Sequence, residues 1–117
     1  MRNNPYAKYQ NVNKSAMSPR QVESDALIKA AALLAQAQND LTLLEDALHR
    51  NKMLWSIIAG DVAETSHPLP TDIKINILRL AEIVFKRTVL LMAEPNAEKI
   101  NLLININRQI AAGLNNV

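Results

Sequence analysis

The chain has 117 residues, 49% of them apolar and 21% charged, which is typical of one small helical domain with its own core. The absence of cysteine excludes disulfides, thiolate metal sites and cysteine nucleophiles, and two glycines cannot form a glycine-rich phosphate loop. No apolar run reaches the length of a membrane span, and the first 20 residues lack a secretory signal. We therefore expect a cytoplasmic protein with no membrane partner.

The net charge of +2 is unevenly distributed. The first 20 residues carry four basic side chains and no acidic one, whereas the remainder carries nine bases and eleven acids. Residues 1–17 show no periodicity and are predicted to form a flexible basic arm, and residues 18–117 a single helical domain. A short basic arm on a slightly acidic body is weak support for nucleic acid or anionic lipid as a partner.

The first predicted helix starts after Ser18, which can cap it, with Pro19 at the first helical position and Gln21 completing a capping box. It should run to about Asn39. Its predicted apolar side comprises Val22, Ala26, Leu27, Ala30, Leu33, Leu34 and Ala37.

The second helix should follow a break at Asn39, with Asp40 as its cap, and reach about Glu64. Its apolar stripe comprises Leu41, Leu44, Leu48, Trp55, Ile58 and Val62. We interpret Trp55 as a core residue, with an anchor for a protein partner as the alternative. Asn51 interrupts this stripe.

Pro68 and Pro70 predict an interhelix loop, and the third helix should run from about Thr71 to Ala93. Its predicted main face comprises Ile73, Ile77, Leu80, Ala81, Val84, Phe85, Thr88, Leu91 and Met92.

A second stripe on the third helix alternates apolar and basic residues, namely Ile75, Arg79, Ile83, Lys86 and Leu90. We label this third helix α3 and call the set the α3 stripe. Two interpretations stay open at this point: an exposed strip that binds a partner, or the reverse side of a central helix packed between two neighbours.

Pro95 should end the third helix, and a fourth should run from about Asn96 until Gly113 ends it in a left-handed cap. Its apolar stripe comprises Ile100, Leu103, Ile104, Asn107, Ile110 and Leu114.

Asn107, like Asn51, interrupts an apolar stripe. We expect the two asparagines to be buried close together and to fix the register of the helices, with ligand binding as the alternative. The predicted fold is all-α, a small bundle of about four helices.

Candidate sites for chemistry are weak. His49 and His67 are far apart and have no ligand at metal-binding spacing, and the carboxylates of Glu45 and Asp46 point about 100° apart on a helix. Ser18 is better explained as a helix cap than as a nucleophile. We predict no catalytic residue, no metal and no cofactor, so the protein should not be an enzyme.

Several short segments resemble the FlaF family of flagellar biosynthesis regulators in their order and spacing. They are Ser18-Pro19-Arg20, the segment N-K-M-L-W from Asn51 to Trp55, Leu69-Pro70, Arg87-Thr88, and I-N-R-Q-I-A-A-G-L from Ile106 to Leu114. The resemblance implies a non-enzymatic factor that promotes flagellin synthesis and secretion, acting with or against a companion regulator called FlbT.

The leading hypothesis is a chaperone whose helices, through the α3 stripe, shelter an amphipathic terminal segment of flagellin. The alternative is a regulator that binds flagellin messenger RNA through the basic arm together with Arg79, Lys86 and Arg87. The near-neutral body and the lack of aromatic stacking residues count against RNA binding. A third possibility is a scaffold that forms a homodimer through its apolar strips.

Overall fold

The computed structural model describes residues 18–115, and within that range it contains helices and no strand, which confirms the all-α prediction. The predicted arm, residues 1–17, lies outside the described residues. The four helices are α1 (Pro19–Asn39), α2 (Leu44–Ala63), α3 (Thr71–Ala93) and α4 (Asn101–Asn115), with short 3-10 turns at Leu41–Leu43 and Glu98–Ile100.

The start of α1 is fixed by the predicted capping box. The backbone N–H of Gln21 donates to the Ser18 hydroxyl (3.2 Å), and the backbone N–H of Ser18 donates to Oε1 of Gln21 (3.0 Å). Two backbone donors that the helix leaves unpaired at this end therefore find acceptors.

Replacing Ser18 with alanine should lower the free energy of unfolding by about 1 kcal/mol, because the Gln21 N–H loses its acceptor. Urea unfolding followed by circular dichroism measures this. Thr at position 18 is the matched control, because its hydroxyl can still accept the bond. An alanine variant as stable as the parent chain would show that the box contributes nothing.

Two helix starts lie later than the sequence predicts. Asp40 does act as a cap, but its Oδ1 accepts from the backbone N–H of Thr42 (3.1 Å) at the head of a 3-10 turn, and α2 begins only at Leu44. Leu41, which periodicity places in the apolar stripe of the second helix, is consequently exposed. The fourth helix likewise begins at Asn101 rather than near Asn96, after its own 3-10 turn.

The predicted left-handed cap at Gly113 is wrong. No described glycine has a positive φ angle, and α4 continues through Gly113 to Asn115. Glycine permits a left-handed conformation but does not impose one. The additional residues keep Leu114 in the core, where it is buried, and this burial favours the longer helix.

The helices pack in the spatial order α4, α1, α2, α3. α1 packs most extensively against α4, α2 packs against both α3 and α1, and α3 meets α4 only lightly. The largest fully buried side chains are Trp55, Leu27, Leu34, Leu48, Ile58, Leu91, Ile100 and Leu103. α3 is therefore attached mainly by the side that faces α2, and most of its outer surface has no neighbouring helix among the described residues.

Periodicity misassigns a few positions at the edges of the helix faces. Val22 and Met92 are exposed, although the sequence predicts that they belong to apolar faces. Conversely, Ser24 is buried, and its hydroxyl donates to the carbonyl of Ala111 across the α1–α4 contact (2.9 Å). The small serine side chain allows close helix approach, and the hydrogen bond satisfies its only polar group.

Candidate partner-binding surface

The core contains a polar cluster that joins three helices. Asn107 on α4 accepts a hydrogen bond at Oδ1 from the Trp55 indole N–H on α2 (2.8 Å). Its Nδ2 donates to Oδ1 of Asn51, also on α2 (2.7 Å), and to the carbonyl of Leu27 on α1 (3.3 Å). The three polar side chains are completely buried, as the sequence predicts for the two asparagines.

The cluster fixes the orientation of both amides. The indole can only donate and the Leu27 carbonyl can only accept, so Asn107 must turn Oδ1 to Trp55 and Nδ2 to Leu27. Asn51 then presents its oxygen to Asn107, and its own Nδ2 has no hydrogen-bond partner among the described residues. A buried unpaired donor destabilises a fold by about 1 to 3 kcal/mol.

This geometry decides between two interpretations of Trp55. Its side chain is fully enclosed in the core, so the alternative of an anchor on the surface for a protein partner is wrong. Asn51 and Asn107 face each other inside the bundle rather than an opening. Their role in fixing helix register stays a prediction.

The α3 stripe is exposed. Ile75, Ile83 and Leu90 expose 44%, 42% and 42% of their surface, and Arg79 and Lys86 are exposed as well. The buried residues of α3 lie on the opposite side of the helix, toward α2. Of the two interpretations left open by the sequence, burial between two neighbouring helices is therefore wrong.

The two basic residues of the stripe differ in their surroundings. Lys86 Nζ lies 3.2 Å from Oε1 of Glu82, one turn away, and both side chains are largely in solvent. Such exposed pairs contribute little to stability and exchange partners readily. Arg79 has no carboxylate within ion-pair distance among the described residues. Arg79 is therefore free to meet an acidic partner, and Lys86 can meet one by giving up its exposed pair with Glu82.

Comparison with protein families identifies the chain. The family model described as flagellar protein FlaF matches residues 6–114. The chain belongs to the FlaF family. The match spans the buried cluster and the whole α3 stripe, and it confirms the resemblance to this family. Neither curated proteins nor solved structures give a significant match.

This FlaF-family chain has a second surface feature, of mixed polar and apolar lining, that the sequence does not reveal. A groove of about 430 Å³ lies at one end of the bundle, between the α1–α2 turn and the end of α3. It is lined by Leu41, Thr42, Leu44, Glu45, Leu48, Leu91, Met92 and Pro95. Because these residues come from two distant segments, only the packing of α3 on α2 brings them together.

The opposite end of the bundle carries titratable residues around the start of α1. Burial raises the pKa of the Glu23 carboxyl above its usual value of 4.5. Among the neighbouring charges, His67 and Arg20 oppose this shift, and the Asp61 carboxylate adds to it. The folded chain therefore holds the Glu23 proton more tightly than the unfolded chain does.

Replacing Glu23 with glutamine should slightly stabilise the FlaF-family chain at pH 7. A raised folded pKa contributes stability that is present below about pH 4.5 and is lost as the pH rises through the folded value. Glutamine is uncharged at every pH, so burying it does not carry the cost of burying the Glu23 carboxylate. The substitution should leave the free energy of unfolding nearly unchanged at pH 4 and raise it at pH 7. Thermal unfolding at both pH values tests the sign, and a lower melting temperature at pH 7 would contradict it.

Neither histidine lies in a metal-binding arrangement. His49 is exposed on α2, and His67 lies in the loop before α3, where its Nδ1 faces the backbone N–H of Leu69 at 3.4 Å. Within residues 18–115, no three side chains from His, Cys, Asp or Glu are grouped so that they could hold a metal ion. Over the same range, no helix combines the length and apolar character that crossing a bilayer requires.

Proposed function

We propose that this FlaF-family protein is a non-enzymatic factor in the cytoplasm that binds flagellin and promotes its synthesis and secretion. The observation that carries the proposal is the α3 stripe, which presents apolar side chains on the outer face of the helix least enclosed by the bundle. Flagellin would supply an amphipathic terminal helix to cover it.

The form of the stripe supports a helical partner. Ile75, Ile83 and Leu90 follow the spacing of one helix face, and such a row matches the apolar row of a second helix. A partner helix packed along α3 would remove these side chains from water, and α3 could then pack on both sides. The apolar contacts would form only in the complex, as a chaperone for export requires.

The experiment is a binding titration of the purified chain with monomeric flagellin, repeated with flagellin messenger RNA. We expect flagellin binding that persists at high salt, because apolar burial contributes most of its free energy. Binding of RNA that weakens steeply with salt, without flagellin binding, would instead support the RNA-regulator alternative. Failure to bind flagellin under any salt condition would contradict the proposed function.

A further inference from the structure

The positions of the charges on the α3 stripe specify what kind of helix can cover it. Arg79 lies between Ile75 and Ile83, and Lys86 lies between Ile83 and Leu90. The two cations are seven residues apart, which corresponds to about 10.5 Å along the helix axis. A helix packed on this face must therefore accommodate two positive charges at that spacing.

A second copy of the chain matches the charges of this face only in part. In an antiparallel pair of α3 helices, placing Ile75 opposite Ile83 of the other copy puts the two Arg79 side chains opposite each other. Placing Ile75 opposite Leu90 brings Arg79 against Lys86 instead. A parallel pair aligns each cation with itself. The first of these registers also places Lys86 opposite Asp72 of the other copy, so opposite charges meet near its two ends and like charges at its centre. The other two registers combine apolar contact with like-charge repulsion, and a partner helix with carboxylates opposite both cations avoids the repulsion in every case.

We propose that the α3 stripe binds an amphipathic helix that carries two acidic residues seven positions apart at the border of its apolar row. This inference rests on the proposed function and specifies the chemistry of the partner segment. From Ile75 to Leu90 the stripe is about 22 Å long, so the partner helix needs at least four turns to cover it. Its carboxylates would pair with Arg79 and Lys86.

Two synthetic helical peptides of five turns test the proposal. They share one apolar row and differ only at two bordering positions seven residues apart, which are both Glu in one peptide and both Lys in the other. At low salt the Glu peptide should bind the chain at least about tenfold more tightly than the Lys peptide. The difference should shrink at high salt, because screening weakens exposed charge pairs.

Reversing charges on the chain tests whether Arg79 and Lys86 cause the preference for the Glu peptide. The double substitution Arg79→Glu, Lys86→Glu should reverse the preference, so that the Lys peptide binds more tightly. The matched control is Lys52→Glu, Arg108→Glu, which changes the net charge equally at exposed positions on α2 and α4. This control should keep the preference for the Glu peptide.

Equal binding of both peptides, or a preference that the Arg79 and Lys86 reversal does not change, would overturn the inference. A chain that forms a dimer in sedimentation experiments, and that becomes monomeric on Ile83→Ser, would overturn it in favour of a second copy. If flagellin binds and the charge reversal leaves its affinity unchanged, the inference fails while the proposed function stands. If the Glu peptide binds as expected but flagellin does not, the proposed function fails and the chemistry of the stripe stands.

Discussion

Replacing Asn107 with leucine should lower the free energy of unfolding by about 3 to 5 kcal/mol. The change leaves the Trp55 indole N–H and the Asn51 carbonyl oxygen buried without partners, and each such group destabilises by about 1 to 3 kcal/mol. Leucine has a similar volume, so the loss reflects unpaired polar groups more than an empty cavity. Urea unfolding followed by circular dichroism gives the value.

Asn51→Leu is the informative comparison. It removes a donor that is already unpaired, and Asn107 Nδ2 keeps the Leu27 carbonyl as its acceptor. Its effect should therefore be below about 1 kcal/mol, since the lost hydrogen bond is offset by the removal of an unsatisfied group. The sequence alone predicts equal losses of about 1 to 3 kcal/mol for the two asparagines.

The double variant completes the cycle. Leucine at both positions leaves only the Trp55 N–H unpaired, so we expect it to recover about half of the loss caused by Asn107→Leu. Strictly additive losses, or an Asn51 variant as unstable as the Asn107 variant, would show that the two amides do not act as a pair.

The second large effect concerns the α3 stripe. The double substitution Ile83→Ser, Leu90→Ser should leave the melting temperature within a few degrees of the parent chain, because both side chains are exposed. It should weaken flagellin binding by at least about tenfold, because buried apolar anchors carry much of the binding energy of an interface. Thermal unfolding and a binding titration on the same preparation measure both.

The chain offers a matched control for this variant. Met53 and Ile57 on α2 are also exposed apolar residues, at 53% and 59%. Changing both to serine removes a similar amount of apolar surface elsewhere and should leave flagellin affinity unchanged. If the two double variants weaken binding equally, the effect reflects general surface hydrophobicity and not the α3 stripe.

Local signals account for the parts of the fold that the sequence predicts well. The capping box at Ser18 and the prolines before Thr71 act within a few residues of the helix ends that they set. The start of α2 and the end of α4 depend on packing instead. Periodicity alone could not foresee the 3-10 turn after Asp40 or a helix that continues through Gly113.

The exposure of the α3 stripe could not be predicted from the sequence, for a different reason. The sequence identifies the α3 stripe but leaves its two interpretations open, because a helix with two apolar faces can be central or can await a partner. Only the packing of α3 on one side, toward α2, shows that Ile83 and Leu90 are exposed. Similarly, the unequal roles of Asn51 and Asn107 follow from the position of the Trp55 indole, a contact between distant residues.

Site-directed crosslinking tests the central claim, that flagellin covers the α3 stripe, most directly. The chain has no cysteine, so one introduced cysteine can carry a photo-crosslinker at a single known position. Val89 lies beside Leu90 and exposes 67% of its surface, which makes Val89→Cys suitable, with Met53→Cys on α2 as the control. We predict a crosslink to flagellin from position 89 and none from position 53. A crosslink from position 53 alone, or from both positions equally, would contradict the account.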